Sequence, residues 1–181
     1  MERFEESAFC REIEAFRLPR YADLPDFRLY IDQLIALVEK TLAPLMGADG
    51  EKWITATMVG NYARQGVIPR PEGKRYSRDH AAYLIFVCLT KQVIAIGDIQ
   101  RLIQVQQGTA FEVAVAYDYF CTELESILAH VFHGDPLRPD SSRTHARETR
   151  LVRSAGFAVA HKIYLSQYLR YLNALEGAAD A

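Results

Sequence analysis

Cysteine is scarce in this 181-residue chain. Cys10, Cys88 and Cys121 are far apart and form no CxxC, which excludes a dense disulfide framework and a zinc site of paired cysteines. Buried free thiols in a reducing compartment are expected. Long apolar runs are also missing. The longest uncharged apolar run, Ala81 to Thr90, is too short to span a bilayer. The opening "MERFEESAFCREIEAF" is charged throughout and has no apolar signal core, so a cytoplasmic protein is expected. Strand-like alternation is nearly absent. There is no GxSxG, P-loop, GxGxxG, HExxH or paired-carboxylate arrangement on a predictable face. No catalytic residue, metal or cofactor is assigned, and the chain is expected not to be an enzyme.

What is present is ordinary globular composition, with 50% hydrophobic and 24% charged residues, enough to build a sizeable core. The net charge of −2 conceals an uneven distribution. Residues 1–51 carry six basic and eleven acidic side chains, residues 52–101 eight basic and three acidic, and the remainder seven and nine. A middle segment at +5 between acidic flanks marks a local anion-binding surface.

Helical periodicity runs through almost the whole chain. Glu5–Phe16 reads as a short helix that "LPRYADLP" breaks at Pro19 and Pro25. Asp26 is placed to cap a second helix with Leu29, Gln33, Leu34, Leu37, Val38 and Leu42 near one face. Further helices are predicted over 56–65, 78–91 and 97–107. From Val113 the apolar residues Tyr117, Phe120, Leu124, Ile127 and Val131 follow at alternating spacings of four and three, a heptad seam. "HGDPLRPDSS" then turns the chain into a long helix, Ser142 to Glu176, with a seam through Phe157, His161, Tyr164, Tyr168, Tyr171 and Leu175. Two long helices across a Pro/Gly turn predict an antiparallel hairpin.

The functional signal lies in "TATMVGNYARQGVIPRPEGKRYSRDH". Thr55 can cap a helix starting at Ala56, with Met58, Val59 and Tyr62 inward and Thr57, Gly60, Asn61 and Arg64 outward. Gly66 stops that helix, and Val67 and Ile68 return to the core. Two prolines stiffen the next segment, and Glu72-Gly73 can turn a small hairpin displaying Arg70, Lys74 and Arg75 before Ser77 caps another helix. A polar-faced helix beside a rigid basic hairpin is the layout of a winged helix-turn-helix. A helix fits the DNA major groove, about 12 Å wide, where Asn can read adenine and Arg guanine while the hairpin meets phosphates.

These residues resemble the mercury-resistance-regulator (MerR) type of winged helix. Its pattern runs Val-Ser cap, Thr-Leu-Arg-Tyr-Tyr, Gly-Leu-Leu, Gly-Tyr-Arg-x-Tyr. Together, "LPRYADLPDFRLYIDQL", "TMVGNYARQGVIPRPEGKRYSRDHAAYLI" and "KQVIAIGDIQRLI" resemble an uncharacterised bacterial family, domain of unknown function 1836, over roughly Leu18 to Ile103. The layout and the resemblance together point to DNA contact by Thr57, Asn61, Arg64, Arg70, Lys74 and Arg75. Tyr62 and Tyr76 match the pattern's aromatics and read as core packing before DNA contact, and the resemblance implies a C-terminal helix that pairs with a second copy. Gly60 stands where the MerR pattern has arginine, and Asn61 where it has the first tyrosine. The hairpin is one residue shorter, and the link "GADGEKW" is longer than the usual helix-turn-helix turn.

The expected protein is therefore all-α with a small wing. Helices over 1–51 buttress a winged helix-turn-helix at 52–107, and a two-helix hairpin at 108–181 serves dimerisation or an effector. The expected function is a homodimeric, sequence-specific transcriptional regulator bound to double-stranded DNA. The alternatives are a protein-binding adaptor without DNA contact and an excisionase-like architectural factor. Four further features have a plain reading and a sharper one. Arg143, Arg147 and Arg150 are a solvated face or a second anion-contacting ridge. His130 and His133 have the spacing of two metal ligands but no third partner. His161 reads as a core histidine. The aromatics Phe111, Tyr117, Phe120, Phe157, Tyr164, Tyr168 and Tyr171 read as a helix–helix core before a small-molecule effector pocket.

Overall fold

The computed structural model describes residues 3–45, 52–108, 112–142 and 146–179. The protein is mainly helical. Its helices are α1 (Ala8–Ala15), α2 (Ile31–Leu42), α3 (Ala56–Gln65), α4 (Arg78–Thr90), α5 (Ile96–Gln107), α6 (Val113–His133) and α7 (Arg147–Ala179). Among the described residues β pairing is confined to two isolated antiparallel bridges, Leu29 with Tyr76 and Glu72 with Arg75.

The local signals around α3 act as their chemistry requires. Thr55 Oγ1 accepts from the Met58 N–H at 3.3 Å, satisfying a donor the helix start leaves open. Gly66 ends the helix at φ 73°, a conformation that a Cβ penalises, and the Val67 N–H closes on the Tyr62 carbonyl at 2.9 Å. The expected cap of α2 is corrected. Asp26 does not begin the helix; α2 starts at Ile31, because Leu29 is held extended by reciprocal hydrogen bonds to Tyr76 of 2.8 and 2.9 Å. The Gln33 side chain then accepts the Tyr30 N–H at 2.9 Å.

Helix α4 is the centre of the fold. Its sequence, RDHAAYLIFVCLT, is apolar on every side after the first turn, and ten of its residues from His80 to Thr90 are buried. It packs against α2, α5, α6 and α7. One continuous cluster of buried side chains runs from Phe4 through Leu34, Val59, Leu84, Ile99 and Leu124 to Tyr171, so the three expected segments share a single core. The three thiols are free and buried, and burial pushes those of Cys88 and Cys121 up to about 12.

The expected antiparallel hairpin of α6 and α7 is also corrected: the two helices run parallel. Tyr119 Oη donates to the Thr149 carbonyl at 3.2 Å, Arg153 reaches Glu123 at 3.0 Å, and the rings of Phe132 and Tyr164 are 5.2 Å apart. Partners on both helices advance in the same direction. The chain gets back to the start of α6 because 134–142 is an extended return rather than a tight turn. Gly134, at φ 71°, ends α6, and Ser141 is tied to Glu123 by its N–H and its hydroxyl.

The N-terminus is strapped across this pair. Arg20 makes two hydrogen bonds to the Glu125 carboxylate, at 2.8 and 2.7 Å, and the Tyr21 N–H donates to Asp118 at 2.7 Å. Phe4 sits among Phe132, Tyr164, Tyr168 and Tyr171, with ring separations of 4.4–6.3 Å. The aromatics of the C-terminal region thus divide into two groups. Tyr164, Tyr168 and Tyr171 gather on Phe4, whereas Phe120 stacks edge-on with Phe86 at 4.9 Å. Phe111 lies outside the described residues.

Candidate nucleic-acid interface

Helix α3 is amphipathic. Val59, Tyr62 and Ala63 are buried, while Ala56, Thr57, Gly60, Arg64 and Gln65 are exposed and Asn61 is half-buried. The Arg64 guanidinium donates to Asn61 Oδ1 at 3.1 Å, so these two polar residues, three apart, already form a pair on one face. Arg64 and Arg70 line the same open cleft of about 480 Å³, which Gln65, the 66–69 backbone turn and Gln107 of α5 complete.

The segment after this cleft doubles back tightly. The Arg75 N–H bonds the Glu72 carbonyl at 3.0 Å, and Gly73 and Lys74 both have positive φ, 56° and 61°. Two central residues in that region are the signature of a type I′ turn, whose twist suits paired arms. Glycine adopts it freely; Lys74 does so against its Cβ and is the only non-glycine with positive φ among the described residues. Lys74 is exposed at the tip.

The arm beyond the tip is fixed from the other side of the sequence. Tyr76 pairs with Leu29, which places Tyr30 beside Arg75. The Arg75 guanidinium lies 3.8 Å from the centroid of the Tyr30 ring and donates to its hydroxyl. Arg28 reaches back to Glu72 at 2.7 Å. Neither Arg28 nor Tyr30 was legible as part of the site, because Leu29 fitted a helical apolar face. The alternation of apolar Phe27 and Leu29 with polar Arg28 and Tyr30 was the available sign of an extended segment.

Of the candidate residues, Thr57, Asn61, Arg64, Arg70, Lys74 and Arg75 are surface or partly exposed groups on α3 and the turn that follows it. Among the described residues Arg70 and Lys74 form no ion pair, the Arg64 guanidinium donates to neutral Asn61, and the Arg75 guanidinium donates to neutral Tyr30. No acidic side chain of the N-terminal segment pairs with them among the described residues. Tyr62 and Tyr76 differ: at 6% and 8% exposure their rings belong to the core. Burial raises the Tyr62 hydroxyl above its ordinary value, and Tyr76 packs edge-on against His80 at 5.3 Å. Their rings are therefore not available to a nucleic acid.

His80 ties the end of this turn to the start of α4. Its Nδ1 accepts the Ser77 N–H at 3.0 Å, while Nε2 is buried near the Pro69 and Arg70 backbone and within hydrogen-bond distance of no partner among the described residues. Burial lowers its basicity, partly countered by the nearby backbone of Pro69 and Arg70.

The secondary candidates fare unequally. Arg147 and Arg150 are exposed at the start of α7, and Arg143 lies outside the described residues. His130 Nδ1 meets the Asp135 carbonyl at 2.7 Å, and the His133 ring lies 6.4 Å from that of Phe132, tilted by 44°. No group of three metal-binding side chains occurs among the described residues. His161 is exposed, not in the core. The inward face of α7 lies one position round, through Ala155, Gly156, Val159, Ala160, Ile163 and Gln167. Tyr117 and Phe120 line a cavity of only about 60 Å³, shared with Phe86, Ile103 and Val152. A benzene-binding cavity is about 150 Å³, so this space is small for an effector.

No curated protein and no solved structure matches the chain. A family model described as Domain of unknown function (DUF1836) matches residues 19–120, more than half of the chain, spanning the Leu29–Tyr76 clamp, α2 to α5 and the first turns of α6. The chain belongs to that family.

Proposed function

We propose that this protein is a double-stranded-DNA-binding transcriptional regulator of MerR-like winged-helix type, acting as a homodimer. The carrying observation is the Leu29–Tyr76 clamp, two hydrogen bonds of 2.8 and 2.9 Å. It attaches the basic turn Glu72–Arg75 to the start of α2 and so makes a stiff arm next to α3. In this reading α3 enters the major groove, where Asn61 and Arg64, with Thr57 beside them, face base edges. Arg70, Lys74 and Arg75 hold phosphates that carry register but no sequence information. Cations with no ion pair among the described residues and a lysine held at positive φ at the tip support a ligand of opposite charge.

The test is a gel shift against fragments of the gene's own upstream region across a salt series. Each phosphate neutralised contributes a slope of about −0.9 in log affinity against log salt. Arg75→Ala flattens the slope by about one unit. Asn61→Ala weakens the cognate site alone, by roughly 1–3 kcal/mol.

One observation favours a second reading, a protein-binding adaptor. Gly60 occupies the middle of the exposed α3 face, and a Cβ there would meet nothing within 4 Å. A face made of Ala56, Thr57 and Gly60 can lie flat against a partner helix. Absence of any salt-sensitive shift with unrelated and upstream DNA alike selects that reading. A shift with strong bending and no sequence preference selects an architectural factor.

A further inference from the structure

Helix α7 buries one face against the core and leaves the other bare. Leu165 is 57% exposed, Leu169 50%, and Leu151 and Leu172 39% each. They are not scattered. Leu151, Ala158, Leu165 and Leu172 recur every seven residues, and Leu169 falls four beyond Leu165 on the same stripe. The core-facing residues Gly156, Val159, Ile163 and Gln167 lie on the opposite side. A soluble helix has no reason of its own to hold leucines at heptad spacing on a solvent face.

The order of residues along this stripe says what covers it. From Arg147 to Glu176 its positions are 147, 151, 154, 158, 165, 169, 172 and 176, with spacings four, three, four, seven, four, three and four. That series reads the same from either end. Laid antiparallel on a second copy, Leu151 faces the other Leu172, and small Ala158 faces the bulky Leu165. At the ends, Arg147 faces the other Glu176. A two-fold interface must be self-complementary in this sense, each patch meeting its own reversed image. A parallel alignment would set Arg147 on Arg147 and Glu176 on Glu176. Arg147 is 71% exposed even though it touches its neighbour Glu148. The stripe spans about 44 Å at the helical rise, long enough for several layers of packing.

We infer that α7 pairs antiparallel with α7 of a second copy of this chain through Leu151, Ala158, Leu165, Leu169 and Leu172, with Arg147 and Glu176 closing both ends. This rests on the homodimer element of the reading above and gives it a surface and a register; it does not depend on DNA contact.

Sedimentation velocity over a concentration series is the primary measurement. The parent chain sediments as a dimer. Leu165→Glu with Leu169→Glu raises the dimer dissociation constant by about 100-fold or more, since each leucine is buried once per subunit. Both positions are exposed in the single chain, so the circular dichroism spectrum stays that of the parent, while the melting temperature loses its dependence on protein concentration. Arg147→Glu or Glu176→Arg alone weakens the dimer, and the two together restore it. For orientation, Leu151→Cys protein mixed with Leu172→Cys protein cross-links on oxidation far faster than either alone.

A parent that remains monomeric throughout, or an unchanged dimer in the double glutamate variant, overturns the inference. Cross-linking of Leu151→Cys with itself overturns the antiparallel register. A gel shift run alongside separates the two readings. A monomeric parent that still shifts DNA defeats the α7 interface and the homodimer but leaves DNA contact standing, and a dimer that shifts no DNA defeats the DNA reading alone.

Discussion

The carboxylate of Glu123 and the guanidinium of Arg153 form a 3.0 Å ion pair between α6 and α7, with the two side chains only 3% and 14% exposed. The other carboxylate oxygen takes the Ser141 N–H and hydroxyl, and Arg153 also donates to the Arg138 carbonyl at 2.6 Å. This pair is what holds the return segment against two parallel helices. Removing Glu123 leaves a buried cation and two open donors. Glu123→Ala is expected to cost about 3–5 kcal/mol, read by urea denaturation. Glu123 and Arg153 replaced together by Leu and Met should cost much less than the sum of the single changes.

His80 makes the fold acid-sensitive. Its folded-state basicity is below the ordinary value of 6.5 because the ring is buried. The unfolded chain therefore binds the proton more readily than the folded one. The stabilising contribution is complete above about pH 6.5 and declines as the pH falls below it. His80→Gln keeps an acceptor for the Ser77 N–H. Melting temperature followed from pH 8 to pH 5 should fall more steeply in the parent than in this variant. Equal slopes would remove His80 from the explanation.

Gly60 is a glycine in the interior of an exposed helix face, with open space around its missing Cβ. Gly60→Ala should stabilise the protein by about 0.5–1 kcal/mol in thermal denaturation. A fall in DNA affinity in the same variant would show that close approach of the α3 backbone is what the glycine serves.

Lys74 sits at φ 61° on the tip of the basic turn. Lys74→Gly relieves that conformation and should leave stability equal or higher by up to about 1 kcal/mol. The same change removes one cation, so the salt slope of DNA binding should drop by about one unit. Gain of stability with loss of affinity is the combination expected where strain is kept for a ligand.

Tyr30 organises Arg75 by stacking and by its hydroxyl. Tyr30→Phe keeps the ring and Tyr30→Ala removes it. Binding by gel shift should decline little in the first and markedly in the second, with the slope against salt unchanged in both because no charge is altered. A slope change in Tyr30→Ala would instead mean that Arg75 no longer reaches a phosphate.

Local chemistry made much of this protein readable from its residues alone. Thr55 capping α3, Gly66 ending it and Gly134 ending α6 are events within one turn of backbone, where the cost of an unmet N–H or a misplaced Cβ decides the outcome. The basic turn after α3 was legible for the same reason: proline, glycine and charge act on their own neighbourhood.

Direction and partnership were decided only in three dimensions. Nothing local to "HGDPLRPDSS" distinguishes a tight turn from an extended return. The parallel packing of α6 and α7 depends on Glu123 meeting both Ser141 and Arg153, 18 and 30 residues onward in the chain. Leu29 looked like a helical core residue until Tyr76 supplied the two hydrogen bonds that hold it extended. His161 and the leucines beside it could be placed outside only once Gly156 had fixed which face of α7 lies against Ile127, 3.1 Å from where a Cβ would stand. Periodicity marks which residues of a helix share a face; contacts made across the fold choose the face that is buried and the way the chain runs.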